Sequence, residues 1–454
     1  MAAKQQESRL SLKLLIDEKS NRVVAAEAHK EFVEILFSFL TLPMGTIIRV
    51  TSSGDTKNPV TTIGCMNNLY RGVEKLSNEN WETENCKTMV LRPRNPLGDY
   101  CQKLKLNIDG SWSNTYYRCS CCRSRFSWYP NVSCSWRMKT TQEITAADLR
   151  SGGVNNKRAF LQKGRTMFII SDDLQIRPAC PIVLAQLLSS LGLSEIDGIR
   201  EMLVEVSKDQ VICLLARSLV SESPLSDLFL PNNPTKHETK LPKPETERTF
   251  QKSETTEETE APTLSLQVTL NKSTNKLLFA KATNEFFDFL CTFLTIPIGS
   301  IIHVFKTNSG GLQGCIYNLY TSVEELEDTW IWSIDKSAIL NPGIAQYHNC
   351  KKQPLKLDEL IESKYLLDPR PYENFAVLSS LFIVLDNLDV KPLSSASSSL
   401  ILRELKVPFS DIEEQVITVG MNEALSLLKA ALTSPSSALT NGLASFLQKN
   451  KQEA

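Results

Sequence analysis

Residues 11–50 read SLKLLIDEKSNRVVAAEAHKEFVEILFSFLTLPMGTIIRV. This stretch decides the fold, because a similar sequence occurs a second time in the same chain. Residues 265–304 read SLQVTLNKSTNKLLFAKATNEFFDFLCTFLTIPIGSIIHV and match it at 16 of 40 positions without a gap. Three further pairs of blocks match in the same order in both halves: 64–76 with 314–326, 166–178 with 380–392, and 211–219 with 424–432. Such self-similarity indicates a tandem repeat of one folding unit.

Each copy of this unit begins with a pattern that is typical of a mixed fold. Apolar residues alternate from Leu10 to Ile16, which predicts a half-buried strand, and residues 22–28 are expected to return as the second arm of a hairpin. Apolar residues at helical spacing follow from Phe32 to Leu40, and Pro43 ends this helix. We expect residues 47–50 to form a strand. The hairpin–helix–strand opening predicts the α+β class.

The composition fits two globular domains that are joined by a linker. The chain has 454 residues, of which 42% are apolar and 22% charged, so each half can build its own core. Residues 231–262 contain five prolines, and their only large apolar side chains are Leu241 and Phe250, which predicts a disordered linker. We therefore predict two homologous tandem domains with these bounds: 8–230 for the first, 231–262 for the linker, 263–434 for the second, and 435–454 for a flexible tail.

Charge and motifs argue against several classes of function. The net charge is -1, which gives no overall attraction to nucleic acid or to an anionic membrane. The N-terminus lacks a signal-peptide pattern and no apolar run has bilayer length, so we expect a cytoplasmic or nuclear protein that does not bind a membrane. The sequence also lacks the phosphate-binding loop, the nucleophile elbow and the zinc-protease motif, so no residue is predicted to be catalytic.

The first copy of the unit carries an insertion. Between the second and third matched blocks the first copy has 89 residues (77–165) and the second has 53 (327–379), a difference of 36. We place the insertion around residues 100–139. Residues 103–139 contain seven lysines and arginines against one acid, together with seven aromatic residues and four of the twelve cysteines. This composition is the one chemically unusual feature of the sequence.

Three interpretations of the insertion remain open. The first is a structural zinc site, because thiolates suit zinc and a small loop-rich segment gains folding energy from the metal. Against it, the C-x-C-C spacing is tighter than the usual C-x2–4-C knuckle. The candidate ligands are Cys101, Cys119, Cys121, Cys122 and Cys134. Zinc is therefore the candidate cofactor.

The second interpretation is a surface that contacts nucleic acid or a protein partner. Bases stack on aromatic rings while arginine offsets phosphate charge, but the same residue types also mark protein interfaces. The candidate contact residues are Arg123, Arg125, Trp128, Tyr129 and Trp136. The third interpretation is a minor aromatic core in which the thiols are incidental.

Several segments resemble a plant family known as domain of unknown function 674. The resemblance lies in FLTLPMGTIIR at residues 39–49, in GCMNNLY at residues 64–70, and in LLARSLVSESPLSDLFL at residues 214–230. It implies a plant origin, and the family brings no assigned activity, cofactor or active-site residues. Members often carry a C-x-C-G pattern before a methionine in the insertion. Here Cys134 precedes Met138 by four residues, while Val132 and Ser135 occupy the other Cys and Gly positions.

The sequence therefore predicts a non-enzymatic intracellular protein that acts as a protein-interaction or regulatory module with an unidentified protein partner. The alternative is a zinc-containing protein that binds nucleic acid through the insertion. A second alternative is a thiol-dependent enzyme, which requires one cysteine with a lowered pKa.

Overall fold

The computed structural model describes most of both halves of the chain. It describes residues 9–52, 62–109, 115–122, 124–134, 136–145, 160–162, 167–193, 198–230, 262–274, 276–308, 314–331, 334–394, 399–401, 403–404 and 406–449. We call residues 9–230 the first half and residues 262–449 the second half. Of the predicted linker at residues 231–262, residues 231–261 lie outside the described residues, and only Pro262 is described.

The first half begins with the predicted hairpin, which is confirmed. Asp17 closes its turn, because the carboxylate accepts hydrogen bonds from the backbone N–H groups of Lys19 and Ser20, both at 3.1 Å. Asn21 has a φ of 48°, in the left-handed region that Asn tolerates better than most residues. The elements of this half are β1 (Leu10–Asp17), β2 (Arg22–His29), α1 (Lys30–Phe39), α2 (Met44–Ser52), α3 (Met66–Lys75), α4 (Glu84–Leu91), α5 (Gly98–Cys101), β3 (Thr115–Cys119), β4 (Phe126–Ser127), β5 (Thr140–Thr145), β6 (Met167–Ser171), β7 (Ile176–Pro178), α6 (Pro181–Ser190), β8 (Ile199–Val206), α7 (Lys208–Ser218) and α8 (Pro224–Phe229).

The second half has the same kinds of elements in a similar order. They are β9 (Leu264–Asn271), β10 (Lys276–Thr283), α9 (Asn284–Thr295), α10 (Ile298–Thr307), α11 (Cys315–Glu325), α12 (Lys336–Leu340), β11 (Ile344–Ala345), β12 (Glu359–Leu360), β13 (Leu381–Leu385), β14 (Val390–Pro392), β15 (Ile412–Val419), α13 (Met421–Thr433), α14 (Ala438–Gly442) and α15 (Ala444–Lys449). Short 3-10 turns lie at Asn78–Asn80, Asp328–Trp330 and Phe409–Asp411. The chain is thus mixed α and β with several sheets.

Each half contains one five-stranded sheet, and the two sheets have corresponding strand orders. The first is β7-β6-β2-β1-β8 and the second is β14-β13-β10-β9-β15. The strand pairs within them are antiparallel, and the central hairpins β1–β2 and β9–β10 each contain one register shift. Helices α1 and α9 contribute many of the buried side chains that pack on these sheets.

The predicted strand at residues 47–50 is wrong. Residues 44–52 form helix α2, and Ile298–Thr307 form helix α10 at the matching place in the second half, so each half opens as hairpin–helix–helix. The prediction followed the strand propensity of the β-branched residues Ile47, Ile48 and Val50. In the structure these three side chains are buried in the common core, and that packing overrides the local propensity.

The two halves meet around an approximate two-fold axis. Pro43 forms an antiparallel bridge with Pro297, the residue that matches it in the repeat. The N–H of Met44 donates to the carbonyl of Ile296 at 3.1 Å, and the N–H of Ile298 donates to the carbonyl of Leu42 at 3.1 Å. Each contact is therefore accompanied by its symmetric counterpart, as in the interface of a homodimer.

The halves also exchange helices. Helix α3 of the first half lies against β14 of the second, where a Cβ on Gly72 would meet the backbone nitrogen of Val390 at 2.7 Å. Helix α11 of the second half lies against β7 of the first, where the hydroxyl of Ser322 accepts a hydrogen bond from the N–H of Ile176 at 2.8 Å. One apolar cluster runs through both halves, so the expectation that each half builds its own core is corrected.

The predicted flexible tail at residues 435–454 is wrong for residues 438–449, which form α14 and α15. The carboxylate of Asp386 accepts hydrogen bonds from the N–H and the hydroxyl of Thr440 at 2.8 and 3.0 Å. In the first half Asp172 holds Ser226 of α8 in the same way, at 2.8 and 2.6 Å. Helix α14 is thus the counterpart of α8, and its Leu439 is fully buried.

The insertion forms a small sheet of its own with the order β4-β3-β5. Strand β4 also pairs with the second half: the N–H of Phe126 donates to the carbonyl of Tyr365 at 3.2 Å, and the N–H of Leu367 donates to the carbonyl of Phe126 at 2.8 Å. The insertion is therefore tied to both halves of the molecule.

Candidate metal centre

Four cysteines of the insertion lie on two turns of its small sheet. Cys119 is the last residue of β3, and its N–H donates to the carbonyl of Arg125 at 3.1 Å, which closes the turn that carries Cys121 and Cys122. Cys134 lies in the loop between β4 and β5. There the N–H of Cys134 donates to the carbonyl of Met138 at 2.9 Å, and the N–H of Arg137 donates to the carbonyl of Cys134 at 2.8 Å. Backbone hydrogen bonds thus fix both turns.

The four thiol groups converge on one point. The Sγ atoms of Cys119, Cys121, Cys122 and Cys134 all lie within 4.8 Å of one another. The Sγ of Cys121 is 3.1 Å from that of Cys119 and 3.5 Å from that of Cys134. In a tetrahedral zinc site with Zn–S bonds of about 2.3 Å, neighbouring sulfurs lie about 3.8 Å apart. The cluster therefore has the ligand type, ligand number and approximate size of a structural zinc site.

The spacing of these cysteines is better suited to zinc than we expected. Cys119 and Cys122 are separated by two residues, which is the C-x2-C spacing of a zinc knuckle. The C-x-C-C interpretation concealed this pair, because Cys121 lies between its two members. Cys121 and Cys134 complete the set of four.

The neighbouring thiols perturb one another's protonation. Burial raises the pKa of Cys119, but hydrogen bonds from the Cys122 backbone and the Cys121 thiol outweigh this effect and lower that pKa to about 6. The hydrogen bond to Cys119 raises the pKa of Cys121 to about 12. Cys119 is thus a thiolate that accepts hydrogen bonds from neighbouring thiols. In such an arrangement a metal cation can displace the thiol protons and bind the sulfurs in their place.

The family is identified by the sequence itself. The model of the family described as "Protein of unknown function (DUF674)" matches residues 6–422 and, separately, residues 373–453. The chain belongs to this family. No curated protein and no solved structure matches the chain. The resemblance to domain of unknown function 674 is thus confirmed.

Cys101 of this DUF674 chain is not part of the cluster, and its prediction as a metal ligand is corrected. Its thiol lies at the end of α5 within 3.6 Å of the Thr41 hydroxyl and 3.5 Å of the Asn95 side-chain nitrogen. Burial raises the pKa of Cys101 to about 12. A neutral, buried thiol of this kind behaves as a small apolar side chain.

Trp128 and Tyr129 are buried, so the prediction that they stack on bases at the surface is corrected. Arg94 lies over the Trp128 ring, 4.2 Å from its centroid. The hydroxyl of Tyr129 lies 3.2 Å from Nε2 of His348, and burial lowers the pKa of this histidine to about 3, so the imidazole is neutral. These two rings anchor the insertion to the second half rather than presenting a face to solvent.

The remaining predicted contact residues divide into two groups. Arg123 lies outside the described residues, while Arg125 and Trp136 are exposed, the indole of Trp136 being 78% accessible. Sequence reasoning missed Arg137 and Lys139, which are also exposed and follow Cys134 in the same loop. We call Arg125, Trp136, Arg137 and Lys139 the insertion tip. No helix among the described residues has the length and apolar character needed to cross a membrane.

Proposed function

We propose that this DUF674 chain is a non-enzymatic binding protein whose insertion is ordered by a zinc ion. The observation that carries the proposal is the convergence of four Sγ atoms within 4.8 Å, all of them on one small sheet. Thiolates are soft ligands that favour zinc, and a set of four is typical of a structural rather than a catalytic site.

The architecture of the insertion explains why it needs a metal. Strand β4 has two residues and β5 exposes most of its side chains, so the small sheet buries little apolar surface of its own. Segments with so little core gain folding energy from a bound metal. In this proposal Cys119, Cys121 and Cys122 of one turn and Cys134 of the other would hold the ion. The ion supplies a cross-link between the two turns.

We also infer that the two halves are homologous domains that arose by duplication of one α+β unit. The corresponding strand orders and the reciprocal contacts at Pro43 and Pro297 support this inference. Duplication of the scaffold explains the shared fold, and it leaves the thiol cluster as the feature that distinguishes the first half. The chemical role of the chain is therefore assigned to the insertion.

The insertion tip is the proposed contact with a protein partner. Trp and Arg are the residue types that most often dominate binding energy at protein interfaces, and the tip combines the exposed Trp136 with three cations. The second candidate is single-stranded nucleic acid, which the same ring and cations could bind. We also propose that this is a plant protein of the cytoplasm or the nucleus.

Zinc analysis of the full-length protein tests the metal site. We expect about one equivalent of zinc per chain after purification without chelators. Cys119→Ser and Cys134→Ser should reduce the content to a small fraction, because three ligands hold the ion far less tightly than four. Cys101→Ser and Cys213→Ser are matched controls that should keep it. Less than half an equivalent in the unmodified protein, or equal loss in the controls, would refute the zinc proposal.

Affinity capture tests the role of the tip. The variant with Trp136→Ala and Arg137→Ala should lose a reproducible protein partner, while Tyr372→Ala, which removes another exposed ring, should retain it. Binding of a single-stranded oligonucleotide that weakens with salt and is lost in the same double variant would instead favour the second candidate. Retention of the partner by the double variant contradicts the assignment of the tip.

A further inference from the structure

A cavity of about 850 Å³ lies against the first sheet, and none of its lining residues belongs to the thiol cluster. Val24 and Ile169 line it from the sheet, and Val183 and Leu187 line it from helix α6. The turn of the β1–β2 hairpin and the turn between β6 and β7 form its polar end. Cavities of roughly 300 to 1,000 Å³ with mainly apolar walls and a few polar groups are typical of small-molecule sites.

The corresponding place in the second half is filled by side chains. There Leu278, Phe279, Ile383 and Ile401 form a small buried cluster, and Leu385 packs against it. The repeat matches Leu278 with Val24, Phe279 with Ala25, and Leu385 with Ser171. Phe279 pairs with Leu385 across the second sheet, just as Ala25 pairs with Ser171 across the first.

The difference between the halves is therefore one of side-chain size on the same backbone. Val24 and Ser171 line the cavity where the second half carries Leu278 and Leu385. Ala25, which matches Phe279, lies beside the cavity and is buried with Leu15 and Ile169. Protein interiors are normally close-packed, and a lost methylene is felt as a loss of stability. An opening maintained by small residues in one copy, beside a filled copy, is the pattern expected of a site that accommodates a ligand.

The charges around the cavity select the kind of ligand. Its lining contains four carboxylates and two guanidinium groups, an excess of two negative charges; these residues are Asp17, Asp172, Asp173, Glu222, Arg22 and Arg177. Two of the carboxylates are held in place: Asp172 accepts from the Ser226 N–H at 2.8 Å and pairs with Arg22 at 3.5 Å, and Asp173 accepts from the Asn318 side chain at 3.0 Å. An oriented negative end attracts a positive group.

We propose that this cavity binds a small amphipathic cation, namely an apolar ring or chain that carries an amine. The apolar body lies between Val24, Ile169 and Leu187, and the amine points to the carboxylates at the hairpin end. This site goes beyond the proposed zinc function and shares none of its residues.

Dansylcadaverine, a fluorescent amine with an apolar ring, is a suitable probe of the full-length protein. We expect saturable binding of one molecule per chain with enhanced fluorescence. The double variant Val24→Leu and Ser171→Leu, which installs the residues of the second half, should weaken this binding at least tenfold. Val416→Leu is the control, because Val416 is 71% exposed on β15 and the same substitution there should change nothing.

The filling variant is expected to fold. Leu385 already occupies the matching position in the second half, and its N–H donates to the carbonyl of Asp389 at 2.9 Å. The N–H of Ser171 makes the same turn contact with Gln175 at 2.9 Å, and a leucine side chain leaves that contact intact. The leucine removes the contacts of the Ser171 hydroxyl with the Gln175 N–H and with Asp173. A single cooperative thermal unfolding transition of the variant verifies that it folds.

A charge variant tests the choice of a cation. Glu222→Gln should weaken dansylcadaverine binding several-fold and reduce its dependence on salt. The anionic probe anilinonaphthalene sulfonate should bind the cavity less tightly than the amine. The proposal is overturned by an absence of saturable binding, by equal affinity of the folded filling variant, or by tighter binding of the anion.

Discussion

Pro43 and Pro297, which occupy matching positions in the sequences of the two halves, pair with each other in an antiparallel bridge. The backbone hydrogen bonds beside them are reciprocal, from Met44 to Ile296 and from Ile298 to Leu42. A contact between matching residues requires a two-fold relation between the halves. The two halves therefore make reciprocal contacts about an approximate two-fold axis.

The close approach at this axis depends on Gly299, and its replacement tests the interface. A Cβ at this position would meet the backbone carbonyl of Leu40 at 2.8 Å and that of Ile339 at 3.0 Å, neither of which can move freely. We expect Gly299→Ala to lower the free energy of unfolding by about 1–3 kcal/mol, as overpacking typically does. Denaturant unfolding measures it. Gly420→Ala is the control, because its Cβ would meet only the end of the Glu423 side chain at 3.3 Å. Equal stability of Gly299→Ala and the unmodified protein would contradict the interface.

Exchange of α3 and α11 predicts that the halves stay together when the chain between them is cut. A protease site introduced within residues 231–261 should yield two fragments that elute together under native conditions and separate in urea. The contacts responsible are distributed: Cys65 donates its N–H to Ala431 at 2.8 Å, and the thiol of Cys315 donates to the carbonyl of Ser221 at 3.0 Å. Size-exclusion chromatography distinguishes the outcomes, and fragments that separate without denaturant would show that the halves are independent domains.

Local features of this fold could be predicted from the sequence, and features that depend on the other half could not. The hairpin and the end of α1 before Pro43 are confirmed, because each rests on residues close together in the chain. The helix at residues 44–52 was not predicted, because the conformation of these residues is decided by the burial of their side chains against the other half. The periodicity of apolar residues within one half does not show which contacts that half makes with the other.

The thiol cluster shows the same limit. Cys119, Cys121, Cys122 and Cys134 could be nominated from their crowding in the sequence, and the structure brings their sulfurs together. Cys101 could not be separated from them, because its distance from the cluster is set by helix α5 and by Thr41. The burial of Trp128 likewise depends on Arg94, a residue outside the insertion predicted around residues 100–139.

A buried carboxylate predicts an unusual dependence of stability on pH. Burial raises the pKa of Asp288 to about 7, although the N–H groups of Phe375 and Ala376 donate to its two oxygens at 3.1 and 2.9 Å. Glu34 lies at the matching position of the first half, and burial raises its pKa as well.

Because the folded state holds the proton of Asp288 more tightly than the unfolded state, this group stabilises the fold most below the unfolded pKa of about 4. Its contribution is lost as the pH rises to about 7, and the loss is at most about 4 kcal/mol. Urea unfolding at pH 5 and pH 8 measures the part of this loss that occurs above pH 5. Asp288→Asn should reduce the difference between the two pH values, even if it lowers stability at both. Asp209→Asn, at an exposed position, should leave the difference unchanged. If Asp288→Asn left the difference in stability between pH 5 and pH 8 unchanged, the assignment of this pH dependence to Asp288 would be contradicted.

Removal of zinc should loosen the insertion without unfolding the two large sheets. The proposed zinc cross-link would join the turn at Cys119 to the turn at Cys134, whereas β1 and β9 are held by antiparallel partners on both sides. Treatment with a strong chelator should therefore accelerate hydrogen exchange at residues 115–122 and 136–145 at least tenfold, while exchange in β1 and β9 changes little. The Cys134→Ser variant should resemble the chelated protein, and Cys213→Ser should not. If chelation accelerated exchange in β1 and β9 as strongly as in the insertion, the metal would support the whole fold. If it accelerated exchange nowhere, the four thiols would have no structural role.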